Sequence, residues 1–262
     1  MTRALVMGVL NVTPDSFSDG GQFFDVRAAV ERGQAMFSEG ADIVDVGGES
    51  TRPHAAGVPS AEELRRVLPV VEALARHGRI SIDTTKSEVA RAAVVAGATM
   101  INDVSAALGA VAGELGVAFV AMHRKGTPAT MQADPRYDDV VAEVGEYLSA
   151  KAREAEAEGV REVWVDPGIG FGKTLEHNVA LLAATRSLSD LGHSVVVGVS
   201  RKSFLGVLAR SPSGDVPSPE NRGEASVAAG LWAVEQGASM LRVHDVAATV
   251  QALRILSERV EW

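Results

Sequence analysis

The chain has 262 residues, 46% of them hydrophobic and 23% charged, which is typical of a globular protein with a sizeable core and excludes a disordered chain. Its 25 basic and 34 acidic side chains give a net charge of −9, which argues against nucleic acid or a membrane surface as a partner. There is no cysteine, so disulfides, thiolate metal sites and cysteine nucleophiles are excluded. No apolar run approaches the roughly 20 residues that span a bilayer, and the N-terminus lacks the features of a signal peptide. We therefore expect a cytoplasmic protein.

Short apolar runs alternate with longer segments of helical spacing from one end of the chain to the other. The runs cover residues 6–11, 42–48, 80–84, 100–104, 118–123, 163–167, 195–200 and 240–244. The helical segments follow at about 26–38, 61–76, 87–96, near 111, 137–158, 175–191, 204–208 with 223–236, and 247–260. Strands that alternate with helices pair in parallel, and eight such units match the size of a (β/α)8 barrel. The pattern predicts an α/β protein with a single TIM-barrel domain over residues 1–262, and a doubly wound sheet is the alternative.

Polar side chains end or follow each of the eight predicted strands. They are Asn11, Glu49 with Thr51 and Arg52, Asp83, Asn102 with Asp103, His123, Asp166, Lys202, and Arg242 with His244. One such residue is explained equally well as a helix cap or a turn former, but eight of eight indicate a site, because the carboxyl ends of barrel strands face the active site. Asp83 and Asp166 also lie within apolar runs, where a charge is costly unless it has a partner.

The residue types at the strand ends indicate what the pocket binds. Asp83, Asn102 and Asp166 offer carboxylate and amide groups that form hydrogen bonds with a polar ring. Arg242 and His244 are two residues apart, so a strand carries both on one face, and Lys202 adds a third basic group. The sequence therefore predicts a pocket for a polar heterocycle at one end and an anion at the other.

Several common motifs are absent or incomplete. Residues 166–174 end in Gly-Lys-Thr like a phosphate-binding loop, but Pro167 stands where that loop needs its first glycine. No G-x-G-x-x-G follows the first strand, the six histidines lack H-E-x-x-H spacing, and there is no G-x-S-x-G. Triphosphate, dinucleotide, zinc and serine-hydrolase chemistry therefore have little support.

Two longer segments carry a specific resemblance. Residues 11–21 read Asn-Val-Thr-Pro-Asp-Ser-Phe-Ser-Asp-Gly-Gly, and residues 45–53 read Asp-Val-Gly-Gly-Glu-Ser-Thr-Arg-Pro. Both resemble signatures of the dihydropteroate synthases. The similarity continues through residues 81–84, 101–104, 166–168, 200–203 and 242–245, and it covers essentially the whole chain in order.

The resemblance implies a TIM barrel that joins 6-hydroxymethyl-7,8-dihydropterin diphosphate to p-aminobenzoate, releasing diphosphate and forming 7,8-dihydropteroate in folate synthesis. It also implies a requirement for Mg²⁺, inhibition by sulfonamides and a homodimer. Two alternatives remain open. One is a pterin-binding barrel that has lost catalysis, and the other is a pterin-dependent methyltransferase domain.

The resemblance also implies a role for each site residue. The pterin-binding set is Asp83, Asn102, Met122, Asp166, Phe171 and Lys202. The diphosphate-binding set is Asn11, Arg52, Arg242 and His244, and Asn11 is also the expected Mg²⁺ ligand. The p-aminobenzoate-binding set is Thr51, Arg52, Pro53 and Ser203. The expected catalytic residues are Asn11, Asp83, Lys202, Arg242 and His244. His54 stands where the family commonly has glycine, and we expect it to influence p-aminobenzoate and sulfonamide binding.

Overall fold

Eight parallel strands close into a barrel in the part of the chain that the structure describes. The structure is a computed structural model, and it describes residues 3–13, 26–50, 57–127 and 130–257. The strands are β1 (Leu5–Asn11), β2 (Ile43–Gly47), β3 (Arg79–Asp83), β4 (Met100–Asp103), β5 (Ala118–Met122), β6 (Val163–Asp166), β7 (Ser194–Val197) and β8 (Met240–Val243). Each pairs with its neighbour in sequence, and β8 pairs with β1. The predicted barrel is confirmed, and the doubly wound sheet is excluded.

Helices follow the strands and cover the outside of the barrel. They are α1 (Val26–Glu39), α2 (Ser60–Leu74), α3 (Ser87–Val95), α4 (Gly109–Leu115), α5 (Val140–Ala157), α6 (Leu175–Ala183), α7 (Thr185–Ser189), α8 (Ser203–Leu208), α9 (Gly223–Glu235) and α10 (Val246–Ser257). None of these described helices is both long enough and apolar enough to span a bilayer.

Two predicted helix boundaries are wrong for local reasons. The segment predicted as one helix over 175–191 is divided into α6 and α7. Between α6 and α7, the buried Thr185 hydroxyl donates to the Leu181 and Leu182 carbonyls at 3.3 and 2.9 Å. It thereby competes with backbone amides for the carbonyls that would continue the helix. The helix predicted from residue 137 begins later, because the Asp139 carboxylate caps it by accepting from two backbone amides at 3.0 and 3.1 Å.

The two faces of the sheet serve two separate apolar cores. Side chains that point outward pack under the helices in the larger core. Side chains that point inward at the amino-terminal end of the barrel form a second cluster, which we call the inner layer. It consists of Met7, Ile43, Met100, Ala118, Val120, Trp164, Val196 and Met240. The barrel is thus filled at this end, and any pocket opens at the carboxyl ends of the strands.

Candidate active site

The carboxyl ends of the strands bring most of the predicted site residues together. Strand register places Asp83 beside Asn102, and Met122 beside Asp166, and all four side chains are buried. We call the polar group at this end the polar mouth. It consists of Asp45, Asp83, Asn102, Asp166, Lys202 and Arg242. These residues lie on six different strands or on the segments that directly follow them, so only barrel closure makes them neighbours.

Arg242 lies at the centre of the polar mouth, where it donates hydrogen bonds to two buried carboxylates. Its Nε donates to Asp45 Oδ2 and its Nη2 donates to Asp83 Oδ2, both at 2.7 Å. Asn102 donates to the same Asp45 oxygen at 2.9 Å. Gly47 lies next to this cluster, where a Cβ atom would stand 3.4 Å from the Asp83 Cβ. One guanidinium therefore compensates two carboxylates that would otherwise be unpaired.

Burial controls the ionisation of Asp83. It raises the pKa of this carboxyl to about 7; the Arg242 guanidinium opposes that shift, while the Asp45 charge adds to it. Burial also disfavours the charged form of Arg242, but Asp45 and Asp83 outweigh it and raise the pKa of the guanidinium above its ordinary value. A fixed cation thus stands beside a carboxyl that can gain or lose a proton near neutral pH.

Asp166 and Lys202 form the other side of the mouth. Asp166 Oδ1 accepts from the Gly168 amide at 2.7 Å. Burial raises the pKa of Asp166, opposed chiefly by the Lys202 charge. Burial lowers the pKa of Lys202 to about 8, although the Asp166 charge works against the shift. The Lys202 ammonium donates to the Ile169 carbonyl and lies 4.7 Å from the centroid of the Phe171 ring. A flat ring bound here would meet a carboxyl, an amine and an aromatic side chain.

His244 lies just beyond the end of β8 and contacts the segment after β7. Ser200 Oγ accepts from the His244 amide at 3.2 Å and lies 3.0 Å from the His244 Nδ1. Arg201, which follows Ser200, has a φ of 61°, a backbone conformation that residues other than glycine rarely adopt. Its guanidinium forms an ion pair with Asp245 at 2.5 Å, which ties the segments after β7 and β8 together. Lys202 and His244 are therefore held in fixed relation to each other.

Asn11 ends β1 and presents an amide at the rim of the barrel. It is half-buried, and within residues 3–13, 26–50, 57–127 and 130–257 its side chain has no hydrogen-bond partner. The described residues hold no cluster of three acidic or histidine side chains for a metal ion. The Asn11 amide oxygen is a hard donor of the kind that Mg²⁺ accepts beside substrate phosphates and water.

Part of the predicted site lies outside the described residues. Thr51, Arg52 and Pro53, together with His54, fall in the gap at 51–56. Ser203, the remaining residue of the predicted p-aminobenzoate set, is the first residue of α8 and is exposed. The roles assigned to these residues stay predictions.

The sequence did not identify Asp45 as a site residue. It also indicated three strand-end residues whose side chains instead make supporting contacts within the protein. Asp45 carries the same signal as Asp83, a charge inside an apolar run, and that signal could have identified it. Asp103 instead accepts from the Ser105, Ala107 and Leu108 amides at 2.7–2.9 Å and fixes the turn after β4. Glu49 pairs with Lys86. His123 is buried against Lys173, which the sequence indicated only as part of an incomplete phosphate-loop motif.

The comparisons with known proteins agree with this geometry. The family model described as pterin binding enzyme matches residues 7–244. The dihydropteroate synthase of Escherichia coli (strain K12) is 46% identical over 96% of this chain and 90% of its own length. The enzyme of that name from Mycobacterium leprae (strain TN) is 47% identical over 96% and 92%. The chain belongs to the dihydropteroate synthase family.

Solved structures of other dihydropteroate synthases have the same fold. The Xanthomonas albilineans enzyme with 4-aminobenzoic acid is 49% identical, with a TM-score of 0.90 over 99% of this chain and 94% of that one. A second structure of that enzyme, in complex with 7,8-dihydropteroate, is 46% identical, with a TM-score of 0.87 over 99% and 95%. The Yersinia pestis dihydropteroate synthase with a sulfonamide drug is 42% identical, with a TM-score of 0.90 over 97% and 94%.

Proposed function

We propose that this chain condenses 6-hydroxymethyl-7,8-dihydropterin diphosphate with p-aminobenzoate, forming 7,8-dihydropteroate and releasing diphosphate. The observation that carries the proposal is the polar mouth, where buried carboxyl and amide groups and the half-buried Lys202 amine converge at the carboxyl ends of the strands. Related dihydropteroate synthases have been solved with 4-aminobenzoic acid and with 7,8-dihydropteroate, which are a substrate and a product of this reaction.

The mouth supplies the groups that a pterin needs. Asp83 and Asp166 accept hydrogen bonds from pterin N–H groups, Lys202 donates to a ring acceptor, and Asn102 is able to do both. Phe171 and Met122 pack against the two ring faces. Because Arg242 already compensates Asp83 and Asp45, the pocket binds the polar edge of the ring without leaving carboxylates unpaired.

Charge complementarity drives the chemical step. The C–O bond between the pterin methylene and the diphosphate breaks, the bonding electrons leave with the diphosphate, and a pterin cation forms. Asp83 in its carboxylate form stabilises that cation at close range in a buried site. The amine of p-aminobenzoate then attacks the methylene carbon and releases a proton. A neutral aromatic amine is already a nucleophile, so this step needs no strong general base.

The leaving diphosphate is held by cationic and amide groups at the rim. Arg242 uses two of its five N–H donors on Asp45 and Asp83, which leaves others for the anion. His244, Asn11 and Arg52 complete the proposed set. When bound, Mg²⁺ would supply Lewis-acid stabilisation of the negative charge on the diphosphate, held by Asn11. Ser203 with Thr51, Arg52 and Pro53 forms the proposed p-aminobenzoate side of the pocket, which sulfonamides would occupy in competition.

A direct assay tests the proposal. The purified protein is incubated with the pterin diphosphate, p-aminobenzoate and Mg²⁺, and 7,8-dihydropteroate is measured by chromatography. We expect 7,8-dihydropteroate and diphosphate to form in equal amounts, and a sulfonamide to inhibit the reaction in competition with p-aminobenzoate. Binding of the pterin without product would favour the inactive pterin-binding barrel, and methyl transfer from a methylated pterin would favour the methyltransferase. The homodimer stays a prediction that light scattering tests.

A further inference from the structure

The segment between β6 and α6 presses closely against the segment after β5. We call residues 167–172 the ring loop, because they include Phe171. Gly168 has a φ of 64°, and a Cβ there would stand 1.8 Å from the His123 carbonyl oxygen. Gly172 has a φ of 67°, and a Cβ there would stand 2.3 Å from the Lys125 carbonyl oxygen. Only glycine allows both the positive φ and this close approach, so the ring loop is built to lie directly on the neighbouring segment.

The Lys173 side chain places a buried amine between the ring loop and the segment after β5. Only 3% of the residue is exposed. Its Nζ lies 3.0 Å from the His123 Nδ1 and 3.1 Å from the Phe171 carbonyl oxygen. No carboxylate in the described ranges pairs with it, and burial lowers its pKa to about 7. A buried amine is stable only when hydrogen-bonded, so the contacts to His123 and Phe171 are what hold it in place.

The position of Lys173 excludes two direct roles. The lysine of a phosphate-binding loop projects toward the phosphates, whereas this one turns inward under the loop. A side chain that is 3% exposed also has no access to substrate as a nucleophile. Its hydrogen-bond partners within the described ranges are His123 and Phe171, so it acts on the reaction through the contact between the ring loop and the segment after β5.

The ring loop is held between two lysines. Lys173 donates to the Phe171 carbonyl from below the loop, and Lys202, from the polar mouth, donates to the Ile169 carbonyl. Lys202 also lies 4.7 Å from the Phe171 ring centroid. A shift of the loop therefore moves an aromatic ring and a mouth amine together. We propose that Lys173, oriented by His123, is a positioning residue that fixes the ring loop in the form that binds the pterin. This inference rests on the proposed function.

The test compares matched lysine variants. Lys173→Met keeps the aliphatic stem but removes the donor, and Lys151→Met makes the same change in an ion pair on the surface of α5. We expect the dissociation constant of a bare pterin to rise about tenfold in Lys173→Met, because the hydrogen bonds that position the ring loop are lost, and less than about twofold in Lys151→Met. The KM for the pterin diphosphate should rise by a similar factor, while kcat falls less than about threefold. Lys173→Arg, which keeps a donor, should recover part of the affinity.

A second pair of variants covers the case in which Lys173→Met does not fold. His123→Asn keeps an acceptor near the position of Nδ1, and His123→Leu removes it. We expect weaker pterin binding in His123→Leu than in His123→Asn. Pterin affinity within about twofold of wild type in Lys173→Met, or equal affinity in the two His123 variants, would overturn the inference. A wild-type protein that binds no pterin would instead refute the proposed function, which separates the two failures.

Discussion

The inner layer and the polar mouth lie at opposite ends of the same barrel and hold opposite kinds of side chain. Met7 and Met240 are fully buried in the inner layer and contribute apolar contacts alone. At the other end, Arg242 compensates Asp45 and Asp83, a cluster whose desolvation offsets much of its Coulomb attraction. The amino-terminal end therefore stabilises the barrel, whereas the carboxyl end uses some of that stability to hold charged groups largely out of water for binding.

The largest effect is expected from removing the shared cation of the mouth. Arg242→Leu leaves the Asp45 and Asp83 carboxylates without a counter-charge, and the free energy of unfolding should fall by about 3–5 kcal/mol. With Arg242 in place, burial already raises the pKa of Asp83 from 3.8 to about 7, and removing the opposing guanidinium charge raises it further. The folded variant therefore holds the Asp83 proton more tightly than the unfolded chain does, and it should lose stability as pH rises from about 4 to beyond 7, measured by urea unfolding at pH 5 and pH 8. An equal loss at both pH values would contradict the charge argument.

The inner layer should respond in stability alone. Met100→Ala removes a fully buried side chain of the inner layer and should lower the free energy of unfolding by about 2–5 kcal/mol. Because the cross-strand partners of Met100 are Ser81 and Ala118, neither of which belongs to the mouth, the KM values of the folded enzyme should stay within about twofold of wild type. Val95→Ala, at a residue that is 88% exposed on α3, is the control and should change stability by less than about 0.5 kcal/mol. A change in KM without a change in the free energy of unfolding would contradict the claim that the inner layer serves stability and the polar mouth serves binding.

The mouth should also give the enzyme a pH profile that the inner layer cannot give. Asp83 becomes a carboxylate as pH rises through about 7, and Lys202 loses its proton above about 8. Asp83 must be charged to stabilise the pterin cation, and Lys202 must be charged to donate to the ring. The plot of kcat/KM against pH should therefore be bell-shaped, with its maximum between the two pKa values. Asp83→Asn should flatten the acidic limb in whatever activity remains. An acidic limb that persists unchanged in this variant would remove Asp83 from the profile.

A smaller effect is expected at the rim of the mouth. Ser200→Ala removes the hydroxyl that contacts the His244 amide and Nδ1, and the imidazole loses one of the contacts that orient it. Turnover with the pterin diphosphate should fall about three- to tenfold, the value of one hydrogen bond, while the affinity for a bare pterin is retained. Ser213→Ala, in the exposed loop before α9, serves as the control. Equal losses of turnover and of bare-pterin affinity would show that Ser200 supports the whole pocket and not His244.

The sequence predicted those features that depend on local pattern. The strand–helix period gave the barrel, and barrel topology alone brings Asp83, Asn102 and Asp166 to one end. It did not predict that Arg242 pairs with both Asp45 and Asp83, because that depends on the register of β8 against strands distant in the chain. The inward turn of Lys173 likewise follows from a contact with His123, 50 residues away. The division at Ala184 depends on one threonine hydroxyl, which residue spacing does not reveal.

The most direct test of the account is calorimetric titration of a bare pterin into Asp166→Asn. This change keeps an acceptor for the Gly168 amide but removes the charge that the pocket presents to the ring. We predict that the dissociation constant rises at least about tenfold, as expected for a lost charged hydrogen bond, with the thermal unfolding midpoint unchanged or higher. Asp190→Asn, at an exposed position after α7, should bind like wild type. Wild-type affinity in Asp166→Asn would contradict the claim that the polar mouth is the pterin site.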